Sequence, residues 1–116
     1  MSLATKLNLK DGMKVRVVAK PASVTLDDVA VTTSAKADAI LVSVKTLADV
    51  DSMCGPVVKA AKEDRLAWIA YPKAGQLGTD LNWDVLWRHL LKQRIQGVRQ
   101  VSLDDVWSAI RFRPGK

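Results

Sequence analysis

The segment Ala39-Ile40-Leu41-Val42-Ser43-Val44 most narrows what this chain can fold into. It is too short for a stable helix and nearly continuous in apolar side chains, the pattern of a strand covered on both faces, so it is expected at the centre of a sheet. Two further segments share its character. Met13 to Ala19 follows the turn pair Asp11-Gly12, is rich in β-branched residues and ends near Lys20-Pro21. Leu66 to Tyr71 is stopped by Pro72, whose ring also pushes Tyr71 towards extended geometry. Between the first two, Val24 to Val29 reads as a short helix and Ala30 to Thr33 as a weak strand.

Helical signals separate these strands. Thr46 with Asp49 three positions on is a short relative of the capping box, and Leu47, Val50, Cys54 and Val57/Val58 follow at helical spacing. Gly55-Pro56 interrupts that pattern, because proline suits only a first helical turn, and a second short helix is expected from Pro56 to about Glu63. From Asp80 to Ile95 a longer helix is expected, with Trp83, Leu86, Trp87 and Leu90 as one apolar stripe and Arg88, His89 and Lys92 on the solvated side. Gly97 is expected to stop it. Val98 to Leu103 and Val106 to Arg113 then read as two strands about an Asp104-Asp105 turn.

The elements order as β, α, β, β, α, β, α, β, β, with helices long enough for right-handed parallel crossovers. The expected fold is an α/β, three-layer Rossmann-like sandwich with a mostly parallel sheet and a C-terminal antiparallel hairpin. No linker or repeat divides the 116 residues, so one α/β domain over 1–116 is expected. A chain of this size buries about 60% to 70% of its unfolded surface and needs no staple. Cys54 is the single cysteine and cannot form an intrachain disulfide, and neither a signal-like start nor an uncharged apolar run near 20 residues is present. A cytoplasmic protein with no membrane partner is expected.

The order of elements is similar to a shortened methyltransferase fold, but the residues that such chemistry needs are missing. The turn after the first strand reads Lys20-Pro21-Ala22-Ser23, without glycine to let backbone approach a cofactor, and no carboxylate ends the second strand to meet a ribose. No cofactor is expected. A closer likeness lies in Leu66-Ala67-Trp68-Ile69-Ala70-Tyr71-Pro72-Lys73, Thr79-Asp80-Leu81-Asn82 and Val106-Trp107-Ser108-Ala109-Ile110-Arg111-Phe112-Arg113. These motifs resemble a family of short, uncharacterised bacterial proteins, a domain of unknown function. In that family a Leu-Trp-Val-Ala-Tyr-Pro-Lys-like strand and an Asp-Leu-Asn helix start precede a Trp-Ser-x-Leu-Arg-Phe-like ending. Ala67 is an insertion before Trp68, and 22–33 does not match the family. The resemblance implies an α/β fold and brings no reaction, cofactor or partner.

Enzyme chemistry is poorly supported. One His and one Cys cannot assemble a usual zinc site, so no metal is expected. His89 reads as a surface histidine, Cys54 as a small core residue and Asp104-Asp105 as turn chemistry, leaving no catalytic residue and a non-catalytic binding protein. The candidate site is a basic crevice for a small phosphate- or carboxylate-bearing ligand. Strands ending at Lys20, Lys45 and Lys73 would deliver three lysines to the carboxyl edge of the sheet, where open α/β folds bind ligands. Ser23, Thr46 and Thr79 follow as hydroxyl donors near helix starts, with Tyr71 as a wall.

Charge supplies the alternative. The net charge of +6 is uneven: residues 1–64 hold nine Lys/Arg against eight Asp/Glu, whereas 65–116 hold nine against four. Arg88, Lys92, Arg94, Arg99, Arg111 and Arg113 would serve a nucleic-acid-binding module, although no recognised motif or aromatic stacking platform accompanies them. A third class is a protein-interaction module, with Trp107 and Phe112 on the hairpin as its surface.

Overall fold

The computed structural model describes residues 7, 9, 13–18, 31–32, 37–73, 81, 83–103 and 106–115. Among these residues, six strands and three helices appear in the order β1 (Val15–Val18), β2 (Val31–Thr32), β3 (Ala39–Ser43), α1 (Leu47–Met53), α2 (Gly55–Lys62), β4 (Leu66–Pro72), α3 (Trp83–Leu91), β5 (Ile95–Ser102) and β6 (Trp107–Pro114). The expected helix at 24–29 lies outside the described residues.

The strands form one sheet in the order β2-β1-β3-β4-β6-β5. β1 pairs in parallel with β2 and β3, and β3 in parallel with β4. β6 is antiparallel to both of its neighbours, and its two ladders are the longest in the sheet. The run from Ala39 to Val44 is buried throughout, as its pattern requires, and β4 is buried along its whole length beside it.

The three-layer, mostly parallel sandwich expected from the sequence is not what forms. The sheet is mixed, strand residues outnumber helical ones, and β6 lies inside the sheet between β4 and β5 instead of closing an outer hairpin. The described helices all serve one face. Val50, Cys54, Val57, Ala60, Ala61, Leu86 and Leu90 from α1 to α3 join Ile40, Val42, Ile69, Ile110 and Phe112 in one core. The opposite core contains Val15, Leu41, Trp68 and Ala109 from the strands, closed by Leu7 and Leu103, with no described helix in it. Alternation along each strand sorts side chains between these two cores, because successive residues point to opposite faces.

Local chemistry accounts for the helix boundaries. Thr46 Oγ1 accepts from Asp49 N at 3.2 Å, and Asp49 Oδ2 accepts from Thr46 N at 3.3 Å, a complete reciprocal cap on α1. Thr46→Ala is expected to cost about 1 kcal/mol of stability, read from urea denaturation, because two amides lose their arrangement. The Gly55-Pro56 break produces two helices, with Pro56 in the first turn of α2. Beyond α2, Asp64 adopts a left-handed φ of 57°, Asp64 N donates to Ala61 O and Arg65 N donates to Ala60 O. This is the Schellman arrangement, built on an aspartate where glycine is usual.

α3 is shorter than the expected 80–95 helix. Leu86 and Leu90 are buried and Trp87 half-buried, while the side chain of Trp83 lies outside those described. Gly97 does not stop it. Arg94 ends the turn with φ 65°, and Gly97 sits within β5, opposite Phe112 and beside a register shift before Arg99. Gly115 N donates to Arg94 O at 2.8 Å, and a Cβ on Gly115 would fall 3.1 Å from that oxygen. No described helix is long and apolar enough to cross a membrane.

Candidate functional site

The carboxyl edge of the sheet brings part of the lysine crevice together. Ser43 pairs with Ala70, and Val44 N donates to Ala70 O at 2.9 Å, so Lys45 and Lys73 leave neighbouring parallel strands at the same edge. Lys20, Ser23 and Thr79 lie outside the described residues. The other two members are committed to the fold. Thr46 uses its hydroxyl in the cap, and the Asp49 carboxylate already accepts from the amides of Lys45 and Thr46, the donors that an anion would have needed. Tyr71 is 2% exposed in the helix-side core and accepts from Gln100 Nε2. Burial raises its phenol pKa, with the Gln100 hydrogen bond opposing.

A cavity of about 290 Å³ lies elsewhere, on the helix-side face between β1, β3 and α2. Ile40 forms its floor, Gly55, Pro56 and Ala60 its helical wall, and Arg16, Lys59 and Arg65 are its ionisable lining. All three are cations. Arg16 is directly opposite Ile40 in the β1–β3 register, which puts it on the same face as the helices. Lys59 stands on the exposed side of α2. Arg65 Nη1 donates to Ala37 O at 3.1 Å and Nη2 pairs with Glu63 Oε1 at 2.7 Å, so its guanidinium is held in one orientation. Sequence reading missed this set. A signal was present in Val15-Arg16-Val17, where an arginine interrupts a strand otherwise suited to burial, but its convergence with Lys59 and Arg65 depends on how α2 crosses the sheet.

A second hollow, of about 180 Å³, gathers Asp51, Cys54 and His89 between α1 and α3. His89 Nε2 lies 2.6 Å from Asp51 Oδ1, so the histidine expected on the solvated face instead links two helices. Cys54 is buried, and its pKa is pushed up to about 12, first by burial and then by the nearby Asp49 and Asp51 charges. A thiol of that kind is neutral at physiological pH and is no activated nucleophile. Among the described residues, no three His, Cys, Asp or Glu side chains converge as metal ligands.

The six basic residues of the nucleic-acid alternative do not form one surface. Arg88 stands on α3, with Lys92 and Arg94 in the turn that follows it, whereas Arg99 is on β5 and Arg111 and Arg113 on β6. Arg99 and Arg111 are direct cross-strand partners. Arg111 also pairs in register with Trp68 and is half-buried, and its Nε is buried with no hydrogen-bond partner among the described residues. Burial lowers the Arg111 pKa, and Arg113 and Arg99 lower it further against the opposing Asp64. Arg113 forms a two-pronged pair with Asp64, at 3.0 and 3.2 Å, which holds the exposed carboxyl below its ordinary pKa. Trp107 and Phe112 are 4% and 0% exposed, so they are core residues and not a partner surface.

Comparison with family models, curated proteins and solved structures returned no match.

Proposed function

We propose that this chain is a non-catalytic binding domain for a small anionic ligand, held in the cavity between β1 and α2. The observation that carries the proposal is the cavity lining, in which Arg16, Lys59 and Arg65 reach one space of about 290 Å³ from three separate segments. The volume is near the lower end of ligand cavities, roughly 300 Å³, which suits a small phosphate- or carboxylate-bearing molecule. A guanidinium already oriented by Ala37 and Glu63 loses little further freedom on binding, and Arg16 and Lys59 add charge with no carboxylate among the described lining residues. Excess positive charge in residues 65–116 would favour the approach of such a ligand. The lysines at the carboxyl edge belong to this reading only as a competing location. The proposal places the domain in the cytoplasm, in keeping with its single buried cysteine. Its likeness to short bacterial proteins of unknown function adds no ligand.

The test is thermal unfolding at low salt with inorganic phosphate, pyrophosphate and citrate. A ligand that binds only the native state stabilises it by about 2.7 kcal/mol at a hundred times its Kd, a shift of several degrees. At least one of these anions is expected to raise the melting temperature, and Arg16→Glu and Lys59→Glu are each expected to abolish the rise. Lys45→Glu and Lys73→Glu are expected to leave it intact. The reverse pattern would move the site to the carboxyl edge, and no rise with any of the three would remove the anion-binding reading.

A further inference from the structure

We propose that the face of the β5–β6 pair carrying Arg99, Arg111 and Arg113 binds the phosphodiester backbone of single-stranded nucleic acid, independently of sequence. These residues lie on the opposite side of the sheet from the described helices. Arg111 pairs in register with Trp68, a member of the core that contains no described helix, and Arg99 pairs with Arg111, so both share that face. Arg113 follows Arg111 by two residues and returns to the same side.

The spacing suits a chain of negative charges. Along β6 the two arginines are about 7 Å apart at the usual strand rise, and Arg99 is one strand away, about 5 Å. That grid matches successive charges on an extended polyanion better than a single compact ligand. Arg99 and Arg113 are exposed and Arg111 half-buried; the Arg113 guanidinium is paired with the exposed Asp64 carboxylate, a surface contact that a phosphate lying along β6 would have to displace. Direct cross-strand placement of like charges is unfavourable, so the Arg99–Arg111 pairing is a local cost that an anion lying across both would relieve. Arg111 itself points to the same side, its Nε buried and with no hydrogen-bond partner among the described residues.

Phosphate contacts orient a nucleic acid but carry no sequence information. Trp68, Trp107 and Phe112 are buried and cannot serve as stacking platforms for bases. Binding through this face is therefore governed by charge and by salt.

Fluorescence anisotropy with a labelled 20-nucleotide oligothymidine, between 20 and 200 mM salt, tests the proposal. Three phosphate contacts on a single strand predict a slope of log affinity against log salt of about −2. Arg99→Gln and Arg113→Gln are each expected to weaken binding several-fold and to reduce that slope by about 0.7. Arg99→Gln is also expected to keep or raise the melting temperature of the unbound protein, because it removes one member of a repelling pair, so its lost affinity cannot come from misfolding. Arg88→Gln with Lys92→Gln is expected to bind as wild type. No binding at 20 mM salt overturns the proposal, as does an unchanged slope in both sheet variants. Equal weakening by the helix pair would show only the overall charge, and equal competition by poly-glutamate at matched charge would assign the face to an acidic peptide; either result overturns it.

Discussion

Trp68→Ala is expected to cost the domain a large share of its stability. Trp68 is wholly buried on the face of the sheet that carries no described helix, among Leu41, Leu66, Ala70 and Trp107, and its Nε1 donates to the carbonyl of Leu7 at 3.1 Å. Truncation removes the apolar contact of an indole and leaves a void among the surrounding side chains, a cost of about 3 to 5 kcal/mol. The Leu7 carbonyl also loses its donor, adding about 1 to 3 kcal/mol if water does not replace it. A domain of this size has only about 5 to 15 kcal/mol in total. Trp68→Phe keeps most of the volume and removes only the donor, so its loss should be confined to the second contribution. Urea denaturation followed by circular dichroism measures both, and a Trp68→Ala protein with wild-type stability would contradict the assignment of this face as core.

A second large effect is expected at high pH and depends on Cys54. Its pKa rises from 9.0 to about 12 in the fold, chiefly because burial penalises the thiolate, with Asp49 and Asp51 adding repulsion. Because the folded pKa is the higher one, the stability associated with the neutral thiol is fully present below pH 9. It declines by about 1.4 kcal/mol for each pH unit above that and is lost as pH passes 12, a total of about 4 kcal/mol. Tyr71, whose pKa is also raised by burial, contributes in the same direction, its share declining as pH rises above its ordinary value of 10.0. Cys54→Ala removes the thiol contribution, so the stability of wild type relative to the variant in urea denaturation should stay level up to about pH 9 and then fall by about 1.4 kcal/mol per pH unit up to pH 10.5. An unchanged difference over that range would show that the thiol is solvated. The same burial predicts that a thiol-specific reagent labels Cys54 only as fast as the protein opens, and labelling at the rate of a free cysteine at pH 8 would contradict it.

Much of the local structure was readable from residues. The apolar runs at Val15, Ala39 and Leu66 became β1, β3 and β4, the Thr46–Asp49 pair became a cap, and Gly55-Pro56 divided two helices. Each depends on neighbours within a few positions, where steric preference and hydrogen-bond geometry decide the outcome. Gly97 was misleading for a related reason. Glycine permits both a helix stop and an irregular strand, and Arg94 took the left-handed conformation first.

The candidate sites were less legible because they join distant segments. Tyr71 and Thr46 have side chains suited to ligands, yet Gln100 and Asp49 occupy their polar atoms. Arg16, Lys59 and Arg65 are unremarkable in sequence and meet only because β1 lies outside β3 and α2 crosses the same face. His89 found Asp51 across 38 residues.

By itself the sequence determined the type of the main strand and helix segments and which side chains along each share a face, though not every boundary, since a period of two or 3.6 is a property of a single segment. It also determined the uneven positive charge. Only the tertiary structure decided that β6 enters between β4 and β5, that the described helices gather on one face, and that Arg99 stands opposite Arg111. The reason is physical: apolar periodicity specifies that a face must be covered, but many partners can cover it, and the choice among them is made by the packing of the whole chain.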